Sequence, residues 1–168
     1  MSAILIATDV SDILFGQPNP IRARVNLGVL KEDEVNIIVH GHEPVLSEMI
    51  VAAAQSKEML DYAKEKGANG IQLGGICCTA NEILQRHGVP LCGTFLQQEL
   101  AIITGACDAM VVDIQCILQN VATVAQCFHT KVITTHPIAR MEQENVIHIE
   151  FDEHFARDDA ERIVKMAI

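Results

Sequence analysis

The sequence is poor in aromatic side chains, which make up 4% of its 168 residues and include no tryptophan. Hydrophobic residues still account for 49% of the chain, so its core must consist of Ile, Val, Leu, Ala and Met. Such a composition is typical of parallel sheets that are covered by helices on both faces. A chain of this length is large enough for a single domain with its own hydrophobic core.

Positive charge is also scarce, because 22 acidic residues against 12 basic ones give a formal net charge of −10. A surface of this kind offers no basic face that could neutralise phosphates, so we expect no nucleic-acid partner. No apolar run is long enough to cross a bilayer, and the first residues lack the basic stretch that begins a signal peptide. We therefore expect a cytoplasmic protein, with membrane association only through partners.

Several familiar motifs are missing as well. The sequence has no pair of CxxC motifs, no GxGxxG turn and no P-loop of the GxxxxGK type. These absences argue against a zinc ribbon and leave nucleotide binding without its usual motif. The six cysteines, in a reducing compartment, indicate free thiols or metal ligands rather than disulfides.

Short apolar runs alternate with longer stretches of helical periodicity from residue 35 onward. A strand is predicted at residues 35–40, followed by one helix at residues 45–66, with Pro44 in its first turn and Gly67 at its end. Further strands are predicted at residues 70–76, 89–92, 109–114, 131–135 and 146–150, and further helices at 79–87, 96–104, 121–127 and 155–167. This alternation predicts an α/β domain of three layers, Rossmann-like, with a mainly parallel open sheet.

The beginning of the chain fits the alternation least. We therefore divide the single domain, residues 1–168, into a lead-in segment at residues 1–34 and a Rossmann-like core at residues 35–168. Within the lead-in, residues 3–15 are predicted to form a helix that belongs against a neighbouring domain.

Three predicted strands end in residues that are good metal ligands. His40 and His42 follow the first strand, Cys77 and Cys78 follow the second, and Cys116 follows the strand at residues 109–114. Ligands of an open parallel sheet bind beyond the carboxyl ends of its strands, where these loops converge. Thiolates together with imidazole suit zinc or an iron–sulfur cluster. The pattern therefore indicates a metal or redox site.

Each of these residues also has an ordinary structural explanation. A single cysteine after a strand is usually a small buried hydrophobic residue, which is our interpretation of Cys92, Cys107 and Cys127. Either histidine can simply hydrogen-bond a backbone carbonyl. Three ligand-bearing loops at one edge of a sheet are harder to explain in this way, so both interpretations stay open at this point.

The same residues resemble the nickel–iron–sulfur carbon monoxide dehydrogenases of anaerobes. The matching motifs are IATDVSDILFG at residues 6–16, VNIIVHGHEP at residues 35–44, GICCTANE at residues 75–82, and a segment that runs from ITG at residues 103–105 to DIQC at residues 113–116. They stand in the family's order, and the resemblance covers nearly the whole chain. In that family this region is the middle of three domains, a Rossmann-like domain between a helical one and a second Rossmann-like one.

The resemblance implies an enzyme that oxidises CO with water to CO₂, two protons and two electrons at a nickel–iron–sulfur cluster. It implies that His42 and Cys78 bind the iron outside the cubane and that Cys116 binds an iron of the cubane. Cys77 and His40 would lie beside the cluster. None of the family's acid–base groups matches a residue of this chain.

The family's remaining three cluster cysteines belong to the following domain, and its electron-transfer clusters to the preceding one. The resemblance therefore predicts a fragment of a larger enzyme that holds at most an incomplete cluster and does not oxidise CO by itself. Its expected partners are CO and water, the missing N- and C-terminal domains, a second copy of the parent in a homodimer, and an electron-transfer protein. A parent that works alone and one that works with an acetyl-CoA synthase both fit.

Two alternatives remain. A hybrid-cluster protein shares this scaffold but pairs the histidine with a glutamate ligand, whereas this sequence offers the ICC and DxQC cysteines. The other alternative is a non-catalytic Rossmann-like binding module with free thiols. If neighbouring domains are missing, an apolar surface should be exposed at residues 4–15 and around the ligand loops.

Overall fold

A computed structural model describes residues 2–168 and contains one six-stranded sheet in which all strands are parallel, in the order β3-β2-β1-β4-β5-β6. The strands are β1 (Val35–His40), β2 (Ile71–Ile76), β3 (Leu91–Gly93), β4 (Ala109–Val112), β5 (Lys131–Thr134) and β6 (Val146–His148). The helices are α1 (Ser2–Phe15), α2 (Pro44–Ala54), α3 (Lys57–Glu65), α4 (Cys77–His87), α5 (Gln98–Ile103), α6 (Val121–Ala125) and α7 (Ala156–Ala167). The predicted α/β fold with a parallel open sheet is confirmed.

The sheet is covered on both faces, which explains why its strands are continuous apolar runs. All six residues of β1 are buried. Because successive side chains of a strand point to opposite faces, Ile37 packs in one hydrophobic cluster with residues of α2, α3 and α7. Ile38 packs in a second cluster with residues of α5 and α6. The two clusters and the sheet between them form the predicted three layers.

The predicted single helix at residues 45–66 is wrong. The structure has two helices there, α2 and α3, which are separated at Gln55 and Ser56. Ser56 is the N-cap of α3, and its Oγ accepts a hydrogen bond from the backbone N–H of Met59 at 3.2 Å. The apolar periodicity continues through the break because Met59 and Ala63 of α3 pack in the same cluster as α2. Periodicity alone therefore could not reveal the break.

The other predicted elements agree with the structure to within two residues at either end. The helix predicted at residues 96–104 is a 3-10 turn, Phe95–Gln97, which continues as α5. The helix α4 begins at Cys77, immediately after the last residue of β2. The two cysteines of the ICC motif therefore form the first turn of a helix.

The lead-in segment has an exposed helix followed by an extended stretch along the β3 edge. None of the residues of α1 is buried, and its apolar side chains include Ile13, which is 82% exposed. The apolar surface predicted at residues 4–15 is thereby confirmed. Val25 forms a parallel bridge with Leu91 of β3, beside the sheet edge. Within residues 2–168, neither α1 nor any other helix combines the length and the apolarity needed to cross a bilayer.

Arg86 of α4 fastens α1 to the core through a cluster of charges. Its side chain is 5% exposed and forms ion pairs with Asp12 at 3.3 Å, Glu82 at 3.2 Å and Glu48 at 3.6 Å. Its Nε also donates to the carbonyl of Gly16 at 2.8 Å. Glu48 is as buried as Arg86, so removing the arginine would leave this carboxylate with His87, whose Nε2 lies 2.5 Å from its Oε2, and with no partner at Oε1.

We expect Arg86→Met to lower the free energy of unfolding by roughly 3 kcal/mol, because buried Glu48 would lose its arginine partner and keep only His87. Loss of the bonds to Asp12 and Gly16 should also speed hydrogen exchange of the α1 amides. Arg157→Met is the matched control, since Arg157 is 84% exposed and pairs only with Glu161 at 3.1 Å. This control substitution should lower the free energy of unfolding by about 0.5 kcal/mol or less. Equal losses in chemical denaturation, with unchanged exchange in α1, would contradict this role of Arg86.

Candidate metal centre

The ligand-bearing loops lie where the strand order of the sheet reverses. From β1 the chain continues to β2 and β3 on one side, whereas β4, β5 and β6 lie on the other side. In open α/β sheets such a reversal leaves a crevice beyond the carboxyl ends of the two central strands. His42 follows β1 and Cys116 follows β4, so the crevice lies between these two loops.

The carboxylate of Asp113 ties the loop after β1 to the loop after β4. It accepts hydrogen bonds from the backbone N–H of His42 at 2.8 and 2.9 Å and of Glu43 at 2.6 Å. It also accepts from the N–H of Ile114, and the N–H of Asp113 donates to the carbonyl of His40 at 3.2 Å. Burial raises the pKa of Asp113 above its ordinary 3.8, and the backbone N–H groups act in the opposite direction. The His42 backbone is thus fixed by β4.

Gly41 leaves the space that the Asp113 carboxylate occupies between the two loops. Its φ is +139°, and a Cβ added there would lie 1.6 Å from Oδ1 of Asp113. Only glycine leaves room for the carboxylate and adopts this backbone conformation without strain. The carbonyl of Gly41 accepts a hydrogen bond from the N–H of Thr79 in the first turn of α4 at 3.0 Å. The loop after β2, which carries Cys77 and Cys78, is therefore joined to the loop after β1 at Gly41.

The ring of His42 is oriented toward Cys116. Its Nδ1 lies 3.1 Å from the carbonyl oxygen of Ile114, and because a carbonyl can only accept, Nδ1 carries the hydrogen. The lone pair is then on Nε2, which lies 3.8 Å from Sγ of Cys116. A nitrogen and a sulfur ligand of one tetrahedral metal ion lie about 3.6 Å apart, so the pair is close enough to hold one ion or adjacent metals of a cluster. The distance and the tautomer both suit metal binding by this pair.

The loop that carries Cys116 has an unusual backbone. Gln115 has φ +63° and Cys116 has φ +52°, so two consecutive non-glycine residues are left-handed. Each costs about 1–2 kcal/mol relative to an ordinary conformation. The buried side chain of Gln98 hydrogen-bonds the loop through its Nε2, which donates to the carbonyl of Cys116 at 2.6 Å. Gln98 could not be recognised from the sequence, because no motif marks a buried amide.

Cys77 and His40 form a second, more buried pair. Sγ of Cys77 lies 3.6 Å from Nε2 of His40, whose side chain is 1% exposed. Burial lowers the pKa of His40 from its ordinary 6.5 to about 4. Burial, with the nearby thiols of Cys116 and Cys78, raises the pKa of Cys77 from 9.0 to about 11. Both groups are therefore uncharged at neutral pH beside the pair of His42 and Cys116.

Cys78 is exposed in the first turn of α4. In the part of the chain that the structure describes, no hydrogen bond joins Cys78 to the other predicted ligands. Nor do residues 2–168 contain a group of three or more His, Cys, Asp or Glu side chains placed to hold one metal ion. The structure thus brings His42 to Cys116 and His40 to Cys77, and it leaves Cys78 at the rim.

The remaining cysteines lie away from these loops in sequence, and two of them are core residues. Cys92 and Cys107 are buried as predicted, and burial raises the pKa of the Cys92 thiol to about 12. Cys127 is exposed, so the prediction that it is a buried residue is wrong. It follows α6, which ends two residues earlier than predicted, at Ala125. The short helix leaves Cys127 beyond the face that packs on the core.

Comparisons with known proteins agree on one family. The model of the Prismane/CO dehydrogenase family matches residues 1–168. Carbon monoxide dehydrogenase 1 of Methanosarcina acetivorans is 56% identical over 164 residues, which are 98% of this chain and 26% of that protein. The chain thus spans about a quarter of the length of the curated relatives that it matches.

Solved structures show the same fold. The nickel-free carbon monoxide dehydrogenase of Thermococcus sp. AM4, as isolated after production without the CooC maturase, is 55% identical with a TM-score of 0.90. The match covers 97% of this chain and 26% of that one. An acetyl-CoA synthase/carbon monoxide dehydrogenase with NiZn[Fe4S4] and NiNi[Fe4S4] clusters in its alpha subunits gives 51% identity and a TM-score of 0.91, over 97% and 24% of the two chains.

We expect Gly41→Ala to lower the free energy of unfolding by more than about 3 kcal/mol, because the new methyl group would overlap the Asp113 carboxylate. Gly67→Ala is the control. Gly67 also has a positive φ, +101°, but nothing lies within 4 Å of an added Cβ, so the cost should be about 1 kcal/mol. Urea denaturation measures both values. A loss at Gly41 no larger than that at Gly67 would refute the close approach.

Burial of His40 should also make stability depend on pH. Its pKa is about 6.5 in the unfolded chain and about 4 in the folded one. The stability due to neutral His40 is therefore fully present above pH 6.5 and is lost as the pH falls through 4. A shift of this size corresponds to about 3 kcal/mol. His40→Asn should flatten the dependence of urea unfolding on pH in this window, and identical pH slopes would argue against a buried neutral imidazole.

Proposed function

The chain belongs to the Prismane/CO dehydrogenase family, and we propose that it is the middle, cluster-ligating domain of a carbon monoxide dehydrogenase. The observation that carries the proposal is the approach of His42 Nε2 to Cys116 Sγ, 3.8 Å, at the reversal point of the sheet. Both residues match cluster ligands of the nickel–iron–sulfur carbon monoxide dehydrogenases that the sequence resembles. A site of this kind on this scaffold supports redox chemistry at a metal cluster better than nucleotide binding.

The chemistry of the donor set fits a nickel–iron–sulfur cluster. Cys78 and Cys116 are exposed thiols, and His42 offers an imidazole nitrogen whose tautomer is fixed by Ile114. Soft thiolate ligands with imidazole are those that iron–sulfur assemblies use. We propose that His42 and Cys78 hold the iron outside the cubane and that Cys116 holds an iron of the cubane. When bound, such a cluster supplies the centre at which CO and water are converted to CO₂, two protons and two electrons.

The role of this chain is to place ligands with little freedom to move. Asp113 fixes the backbone of His42, and the Nδ1–H of His42 bonds to Ile114, which selects the tautomer of the neutral ring that has its lone pair on Nε2. The neutral pair of Cys77 and His40 adds no charge beside the ligands. Because rate depends steeply on placement, a displacement of one ligand by about 1 Å can cost on the order of 100-fold in turnover.

The wider organisation follows from the same proposal. Residues 1–168 would form one domain, with residues 1–34 as its lead-in, and the rest of the parent enzyme would supply the other cluster ligands. CO and water would be the substrates, the parent would form a homodimer, and an electron-transfer protein would accept the electrons in the cytoplasm. The relatives named above are all carbon monoxide dehydrogenases, so no observation favours a hybrid-cluster protein or a non-catalytic module.

The test is CO-dependent dye reduction by the full-length enzyme, measured beside its iron and nickel content. His42→Ala, Cys78→Ala and Cys116→Ala should each lower turnover by more than about 100-fold, because a ligand of the cluster is lost. Cys127→Ala is the matched control and should keep turnover within about twofold, because Cys127 is exposed and outside the ligand motifs. Cys92→Ala should affect only core packing.

Two outcomes would count against the proposal. Wild-type turnover in the His42→Ala or Cys78→Ala enzyme would remove these residues from the cluster. An unmodified enzyme that carries the cluster but oxidises no CO would refute the function itself.

A further inference from the structure

Gln98 is a buried amide whose two hydrogen-bonding ends are both used on one loop. Its side chain is 1% exposed. Its Nε2 donates to the carbonyl of Cys116 at 2.6 Å, and its Oε1 accepts from the N–H of Leu118 at 3.1 Å. An amide has a donor side and an acceptor side, so a single side chain can hold both groups only in one orientation. The peptide that follows Cys116 is thereby fixed on both sides of Ile117.

The loop that Gln98 contacts has a strained backbone. Gln115 and Cys116 have φ values of +63° and +52°, and two consecutive left-handed residues other than glycine persist only where the surroundings enforce them. Cys116 itself is exposed. Its side chain therefore has little packing of its own to fix its direction. The hydrogen bond to its carbonyl acts at the residue whose Sγ faces His42.

The backbone of Gln98 is itself a rigid anchor. Gln98 is the first residue of α5, and the 3-10 turn before it is capped by Thr94, whose N–H and hydroxyl donate to Oε1 of Gln97 at 2.7 and 2.5 Å. Ala101 and Ile102 of α5 are completely buried in the second hydrophobic cluster. The side chain of Gln98 thus connects the Cys116 loop to the packed core.

We propose that Gln98 is a positioning residue that sets the placement of the Cys116 thiol for metal binding. This inference rests on the proposed function, in which Cys116 is a cluster ligand. Without the amide, the carbonyl of Cys116 and the N–H of Leu118 lose their partner, and the loop can leave the left-handed conformation. The thiol then no longer faces Nε2 of His42. Replacing a residue that hydrogen-bonds a metal ligand typically lowers metal affinity by about 10- to 100-fold.

The test uses Co²⁺ as the probe, because its absorption reports both thiolate ligation and coordination geometry without assembly of a cluster. The full chain is titrated with Co²⁺ under anaerobic, reducing conditions, and circular dichroism checks that each variant is folded. Gln98→Asn, whose amide is too short to reach both backbone groups, and Gln98→Met, which has no amide, should bind Co²⁺ about 10- to 100-fold more weakly. Their visible cobalt bands should also be displaced from those of the unmodified chain.

Gln97→Asn is the matched control. It makes the same change one residue earlier and weakens the cap of the same helical segment, without touching the Cys116 loop. It should lower stability but leave the Co²⁺ affinity and spectrum as they are. A loss of Co²⁺ binding in Gln97→Asn equal to that in Gln98→Asn would show that general destabilisation is responsible, and would overturn the positioning role.

The remaining outcomes separate this inference from the proposed function. If the unmodified chain shows no thiolate-to-cobalt band, or if the band survives in Cys116→Ala, the site of His42 and Cys116 is wrong and the inference falls with it. If the band depends on both residues but folded Gln98→Met behaves like the unmodified chain, only the inference is overturned. Should Gln98→Met fail to fold, an unchanged affinity in Gln98→Asn overturns it equally.

Discussion

The geometry of the candidate site depends on one carboxylate inserted between two strand ends. Asp113 lies at the end of β4 and occupies the space that Gly41, at the end of β1, leaves by having no side chain. Hydrogen bonds from the backbone N–H groups of His42 and Glu43 hold it there although burial opposes its charge. Charge-assisted bonds of this kind are about twice as strong as neutral ones. A longer side chain at position 41, or loss of the carboxylate, would separate the two loops.

The strain in the ligand loops is opposed by hydrogen bonds of comparable strength. Left-handed conformations at Cys77, Gln115 and Cys116 cost about 1–2 kcal/mol each. Buried hydrogen bonds from Asp113 and Gln98 act on the same segments, and an unsatisfied buried polar group costs about 1–3 kcal/mol. These hydrogen bonds therefore offset the cost of the left-handed backbone conformations. The contacts that orient His42 and Cys116 are made by protein groups.

Much of the fold, and part of the site, could be predicted from the sequence because each follows from local pattern. Apolar runs bounded by turn residues predicted β1, and the rule that ligands meet at the carboxyl edge of a parallel sheet brought His42 and Cys116 together. The break at Ser56 could not be predicted, since the apolar periodicity continues through it. The role of Gln98 could not be predicted either, because it depends on a contact across 18 positions of the chain that no local pattern records.

The burial of His40, Cys77, Cys78 and Cys116 divides these residues into two groups around the crevice. His40 and Cys77 are close to the sheet, where desolvation keeps both of them neutral. Cys78 and Cys116 are exposed at the rim. Metal-binding thiols must be deprotonated, so the raised pKa of Cys77 disfavours metal binding by this half-buried thiol. His40 and Cys77 thus form the floor of the crevice beside the sheet, and the residues that can bind metal lie farther from the sheet at its rim.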